Sequence, residues 1–156
     1  MWYINPIQVS IDVPQPREAV YDFLDAMPHH ELFTDHMMRD WHYEGPERGI
    51  GSRARVNAVL GERTEPVEIE VIDAQPPFKS VERNTGAGGK RVATGTYTLT
   101  ELPDGGTHIV FEYNWQKIPL NERLAAPIIR SVMRRAFQRA MQRLAEQLQA
   151  LEIADA

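Results

Sequence analysis

The sequence predicts an α+β domain in which a long C-terminal helix lies across a single antiparallel sheet of six or seven strands. Three observations lead there. Short runs alternate apolar and polar residues, the period of half-buried strands, and close Gly- and Pro-containing turns separate them. Between Gly51 and Gln116 no helix-length segment intervenes, as parallel crossovers would require. From Pro127 to about Glu152 the chain is rich in Arg, Ala, Leu, Gln and Glu, all good helix formers.

In order along the chain, "IQVSID" alternates Ile7, Val9 and Ile11 with polar neighbours and reads as the first strand. Pro14 and Pro16 stop it, and Pro16 suits the first turn of a helix because its missing N–H is not needed there. Val20, Phe23, Leu24 and Met27 then recur at helical spacing, so a short amphipathic helix should run to about Asp25 before Pro28 ends it. "HHELFTDHMMRDWHYEGPERG" is less periodic: a helical turn near Glu31 to Phe33, a loop, a short strand near Trp41 and a Gly-Pro turn.

From Gly51 the period is two. Ala54, Val56, Ala58 and Leu60 alternate with Arg53, Arg55 and Asn57, while Val67, Ile69 and Val71 alternate with Glu68 and Glu70, giving two strands that share a turn at Gly61 to Thr64. "FKSVERN" is the next strand, Gly86, Gly88 and Gly89 a flexible turn, and residues 91 to 116 hold two further strands around Pro-Asp-Gly-Gly. After "QKIPL", Asn121 is placed to cap a helix from Glu122, and Pro127 kinks that helix or starts its main part. On this last helix Ile129, Met133, Ala136, Phe137, Ala140, Met141, Leu144, Leu148 and Leu151 share one side; Arg135, Arg139 and Arg143 form a row on the other.

Composition bounds the function. A chain of 156 residues can bury a core without staples, and no repeat or linker divides it, so one domain over 1–156 is expected. With no cysteine, disulfides, thiol catalysis and cysteine-ligated zinc are excluded, which is compatible with the expected cytoplasmic location. No window reaches the roughly 20 apolar residues of a membrane span, and no integral membrane association is expected. Seventeen basic against 22 acidic residues give a formal net charge of -5, so no global attraction to nucleic acid follows.

The order of these pieces resembles the START-like, or Bet v 1-like (SRPBCC), superfamily, most closely its polyketide cyclase/dehydrase and lipid-transport branch. It is carried by "QPREAVYDFL", "DWHYEGPERGIGSRARV", "VEIEVIDAQPP", "GTYTLTELPDGGTHIVFEYNW" and the arginine-rich terminal helix, over nearly the whole chain. The resemblance implies a helix-grip fold: a curved seven-stranded antiparallel sheet wrapped around the terminal helix, two short helices after the first strand, and an elongated apolar cavity between sheet and helix. It implies no catalytic residue that can be placed here. The expected function is binding of an apolar or aromatic, lipid- or polyketide-like small molecule; if there is catalysis, cyclisation or dehydration of a held substrate is the first class to test. The alternative is a protein-interaction or chaperone-partner module that uses the arginine-rich helix. Neither a cofactor nor a metal is expected, and the oligomeric state is monomer or homodimer.

The candidate ligand-binding residues are Tyr97, Phe111, Tyr113 and Trp115 on the last two strands and Met133, Phe137 and Met141 on the terminal helix. Each also reads as ordinary core. Tyr hydroxyls and the Trp N–H are suited to orienting a ligand in an otherwise apolar pocket, and Met to forming an adaptable wall. His36, Met37 and Trp41 are candidate rim residues. His36 with Asp40 is the one spacing in the His-rich segment that suits a metal, but no HExxH or comparable signature accompanies it. The arginines at 53 and 55 coat the outer surface if Ala54 and Val56 line the interior; the opposite assignment would project Arg55 inward. The Gly86 to Gly89 cluster lacks the spacing of a phosphate loop.

Overall fold

The computed structural model describes residues 3–155, the side chain of Leu60 excepted. β1 (Ile7–Val13) leads into α1 (Arg17–Asp25) and α2 (Met27–Thr34). Six strands follow: β2 (Met38–Glu44), β3 (Arg53–Leu60), β4 (Arg63–Gln75), β5 (Lys79–Gly86), β6 (Arg91–Glu101) and β7 (Thr107–Lys117), with α3 (Leu120–Leu124) and α4 (Ala126–Asp155) last. All seven strands form one antiparallel sheet in the order β1-β7-β6-β5-β4-β3-β2. Strands β2 to β7 are sequential neighbours, and β1 alone crosses over to pair with β7, Val9 opposite Phe111. Register shifts in β2, β4 and β7 add an unpaired residue and bend the strands. The curved sheet wraps α4, which packs against β1 and α2. This is the helix-grip arrangement.

Alternation decides which face is inside. Ala54 and Val56 are buried, while Arg55 is exposed and meets Glu44 at 3.0 Å, so the arginines of β3 coat the outer surface. Two apolar clusters form on the concave face. The larger joins β1, β6 and β7 to α1 and α4 through Ile7, Val9, Phe111, Phe137 and Leu144. The smaller joins Met27 to Ala54, Val56, Ile69 and Val71, with Met38 and Trp41 against it. On α4, Met141, Leu144 and Leu148 are almost fully buried, each contributing about 1.5–3 kcal/mol relative to exposure.

The helices differ from expectation in three places. Pro28 does not follow the first helix into a loop; it occupies the first turn of α2, which absorbs Met27 and extends the expected turn at Glu31 to Phe33 into two turns. Asn121 is not the N-cap, because α3 already begins at Leu120 after Pro119; α3 ends at Leu124, and Pro127 stands in the first turn of α4. Leu151, expected on the buried side of α4, is 45% exposed, whereas Leu148 three residues earlier is buried.

Candidate ligand-binding site

Between the two apolar clusters lies a cavity of about 710 Å³, within the range that encloses drug-sized ligands. Its walls take Val67 and Met38 from the smaller cluster, and Tyr113, Phe137 and Met133 from the larger. It opens between the β3–β4 hairpin, where Gly61 and Arg63 are exposed, and the start of α4, where Ile128 and Val132 are 71% and 61% exposed.

Of the residues expected at the site, Tyr113, Trp115, Met133, Phe137 and Met37 line the cavity. Tyr113 is 7% exposed, burial holds its hydroxyl protonated far above ordinary pH, and no group among the described residues hydrogen-bonds it. Its ring sits 5.0 Å from Trp115 and 5.3 Å from Phe137. Phe111 packs behind Phe137 at 5.2 Å, and Tyr97 behind Phe111 at 4.8 Å. The structure therefore places Phe111, Tyr97 and Met141 in the packed core, outside the cavity wall. Strand parity puts Phe111 on the correct face; its position along the strand puts it beneath α4.

The expected rim is divided. Met37 borders the cavity, whereas His36 donates from Nε2 to the Ala136 carbonyl at 2.9 Å and so ties the α2–β2 connection to α4. Trp41 packs against the smaller cluster and stacks on Tyr43 at 5.9 Å. His36 and Asp40 do not converge, since Asp40 accepts from Asn57. The adjacent His29 and His30 serve the fold, donating to the carbonyls of Phe23 and Leu24 at 2.7 Å each and so satisfying the last turn of α1.

Two polar groups at the cavity were not anticipated. The first is a clasp centred on Arg91. Its guanidinium donates to Glu122 at 2.7 and 2.6 Å and to Glu65 at 3.0 and 3.2 Å, tying α3 to β4 and β6. The bond to Glu122, reinforced by Glu65, holds the guanidinium charged more firmly than usual. Because the basic residue follows a glycine-rich turn, its local sequence suggests only a surface hairpin.

The second group lies on the concave face of β5, where Glu82 and Asn84 are 7% and 8% exposed. Asn84 lines the cavity two residues along the strand from Glu82. Behind Glu82, His30 Nδ1 is 3.9 Å from the carboxyl, and the His30 ring meets Tyr97 edge-on at 5.8 Å. Burial pushes the Glu82 carboxyl up to about 7 and the His30 imidazole down to about 4. In "KSVERNTG" neither parity is apolar, so alternation gives no sign of which residues turn inward. Among the described residues no group of three or more His, Asp or Glu side chains could hold a metal ion.

The model of the family described as polyketide cyclase/dehydrase and lipid transport matches residues 6–149. The chain belongs to this family. Solved structures agree on the fold of this family member. TTHA0849 from Thermus thermophilus is 18% identical with a TM-score of 0.73, covering 94% of this chain and 99% of that one. A Rhodobacter sphaeroides protein is 19% identical with a TM-score of 0.68, covering 94% and 93%. Ms6760 from Mycobacterium smegmatis is 15% identical with a TM-score of 0.66, covering 94% and 92%. At these identities the likeness concerns the fold alone. A comparison with curated proteins finds no match. The family and its fold supply a cavity capable of taking an apolar or aromatic small molecule, and no helix among the described residues is long and apolar enough to cross a membrane.

Proposed function

We propose that this protein binds an apolar small molecule, aromatic or lipid-like, between sheet and α4. The observation that carries the reading is the cavity of about 710 Å³ whose wall combines Met37, Met133, Phe137 and Trp115 with the unpartnered hydroxyl of Tyr113. Thioether and aromatic surfaces adapt to irregular ligand shapes, and a few polar groups suffice to orient what they enclose. Any reaction on a held polyketide-like substrate would draw first on confinement, with Tyr113 and Asn84 as the polar contacts available. Native mass spectrometry of gently purified protein, followed by denaturing extraction, tests the reading, together with titration of a neutral naphthalene-based fluorophore. A bound apolar molecule, or saturable one-to-one uptake of the fluorophore competed by apolar compounds, supports it. Absence of both would overturn it.

For the partner-docking alternative, three of the arginines of α4 already have partners within the protein. Arg130 donates to the carbonyls of Asn5 and Pro6, Arg134 to that of Gln8, and Arg143 pairs with Asp35. These side chains fasten α4 to the rest of the protein.

A further inference from the structure

The apolar residues that α3 and α4 leave outside the core gather at the mouth of the cavity. Leu120, Leu124, Ile128 and Val132 are 66%, 79%, 71% and 61% exposed. Their four-residue spacing carries across the break between the two helices, where the Ala125 carbonyl accepts from the amides of both Ile128 and Ile129. Ile128 and Val132 border the opening, whereas Leu120 and Leu124 do not line the cavity. Single exposed apolar residues are ordinary, but a row of four large ones beside an apolar cavity is a patch of the kind that marks a contact surface.

Charge on the same side identifies the partner. α4 has no acidic residue between Ala126 and Ala145, and Arg135 and Arg139 are exposed on the side that carries Ile128 and Val132. Neither has a partner among the described residues, unlike Arg130, Arg134 and Arg143. Across the opening Arg63 is exposed beside exposed Glu62, so the unmatched positive charge belongs to α4. In a chain of formal net charge -5 this face stands apart in sign. An apolar row that continues into free arginines is the pattern of an interfacial helix, whose apolar side chains enter the acyl boundary while its guanidinium groups reach lipid phosphates. Side chains that protrude this far suit a fluid surface that closes around them, whereas a folded protein would need a matching groove.

We infer that this face is a docking surface for an anionic lipid bilayer, with Leu120, Leu124, Ile128 and Val132 inserted and Arg135 and Arg139 on the headgroups, so that the cavity opens onto the membrane. An apolar ligand then passes between bilayer and cavity without being hydrated on the way. The ligand-binding reading supplies the purpose of the docking; the docking itself is measured without a ligand.

The test is flotation of the full chain with vesicles of phosphatidylcholine alone and of phosphatidylcholine mixed with phosphatidylglycerol. Binding to the anionic vesicles should be at least about 10-fold stronger and should fall as salt is added. Arg135→Gln combined with Arg139→Gln should weaken it about 10- to 30-fold, the joint effect of two basic residues near an anionic surface. Leu120→Ser combined with Leu124→Ser should also release the protein from these vesicles. Neither pair lines the cavity, so both double variants should keep the wild-type melting temperature and uptake of a neutral fluorophore. Equal binding to the two vesicle types, no binding to either, or anionic-vesicle binding of both double variants as tight as wild type would overturn the inference. So would a stable dimer in sedimentation velocity that Leu124→Ser dissolves, because a second copy would then cover the row. Absence of docking with fluorophore uptake intact removes this inference and leaves the ligand-binding reading in place; salt-sensitive docking without uptake upholds the docking surface and counts against that reading.

Discussion

The guanidinium of Arg91 lies across the bare backbone of Gly86. A Cβ added to that glycine would sit 2.7 Å from Arg91 Nη1 and 3.3 Å from Val67 Cγ2. Gly86 has an extended backbone that any residue adopts, so the requirement concerns space rather than conformation. This absence of a side chain lets a residue at the start of β6 reach Glu65 on β4 across the end of β5. The same guanidinium holds Glu122, and with it α3, beside the opening of the cavity.

Gly86→Ala should therefore displace Arg91 from Glu65 and destabilise the protein by about 1–3 kcal/mol, the range for overpacking a filled site. Arg91→Met should cost about as much or more, because it leaves two partly buried carboxylates facing each other. Urea denaturation measures both effects. Hydrogen exchange should show faster opening of α3 amides in either variant, and unchanged exchange there would refute the clasp.

Gly95 marks a second close approach, between the core and the polar floor. An added Cβ would lie 2.9 Å from Phe111 Cε1 and 3.2 Å from Glu82 Cγ. Gly95→Ala should lower stability by about 1–3 kcal/mol through forced movement of the Phe111 ring. Thermal unfolding should register this as a lower midpoint; a midpoint equal to that of the wild type would show that the ring moves freely.

Titration of the buried pair gives a pH signature with two opposing limbs. Glu82 is raised from 4.5 to about 7, so the folded chain keeps a proton the unfolded chain has lost, and this contribution to stability falls as pH rises from about 4.5 to 7. His30 is lowered from 6.5 to about 4, so the unfolded chain takes up a proton first, and this contribution rises with pH from about 4 to 6.5. The groups facing Glu82 are His30 on α2, Asn84 on β5 and Tyr97 on β6. Wild-type stability should be nearly level across the shared window. Glu82→Gln should leave only the rising limb and be more stable than wild type at about pH 8, by an amount on the order of 2 kcal/mol. His30→Gln should leave only the falling limb. Parallel stability profiles for the three proteins would contradict this assignment.

What the sequence made legible follows from periodicity. β3, β4 and β7 alternate cleanly, so the inward parity of Val56, Ile69 and Tyr113 could be read once a terminal helix was assigned to cover the sheet. β5 has polar residues on both faces, and Glu82 and Asn84 become visible only through pairing of Glu82 with Gly95 and Asn84 with Ala93. Arg91, Glu65 and Glu122 come from three separated segments, and no local pattern records their convergence. Tyr97 and Phe111 share the inward face with Tyr113, yet parity says nothing of where along a strand the packed core ends and the cavity begins.

That boundary falls at Tyr113, whose ring touches Phe137 while its hydroxyl remains unpartnered in the cavity wall. Tyr113→Phe keeps nearly all of the buried ring and breaks no hydrogen bond within the protein, so stability should stay within about 0.5 kcal/mol of wild type. Binding should respond differently. A neutral naphthyl ketone such as prodan offers an acceptor that the Tyr113 O–H can reach, and losing one neutral hydrogen bond should weaken its binding about 2- to 10-fold. Emission of the bound probe should also shift to the blue, because its excited-state carbonyl no longer receives a donor. The corresponding hydrocarbon-only probe should bind both proteins equally, which separates the hydroxyl's contribution from any change in cavity shape. Equal prodan affinity and an unshifted spectrum in Tyr113→Phe would remove Tyr113 from ligand recognition and leave its ring as cavity wall.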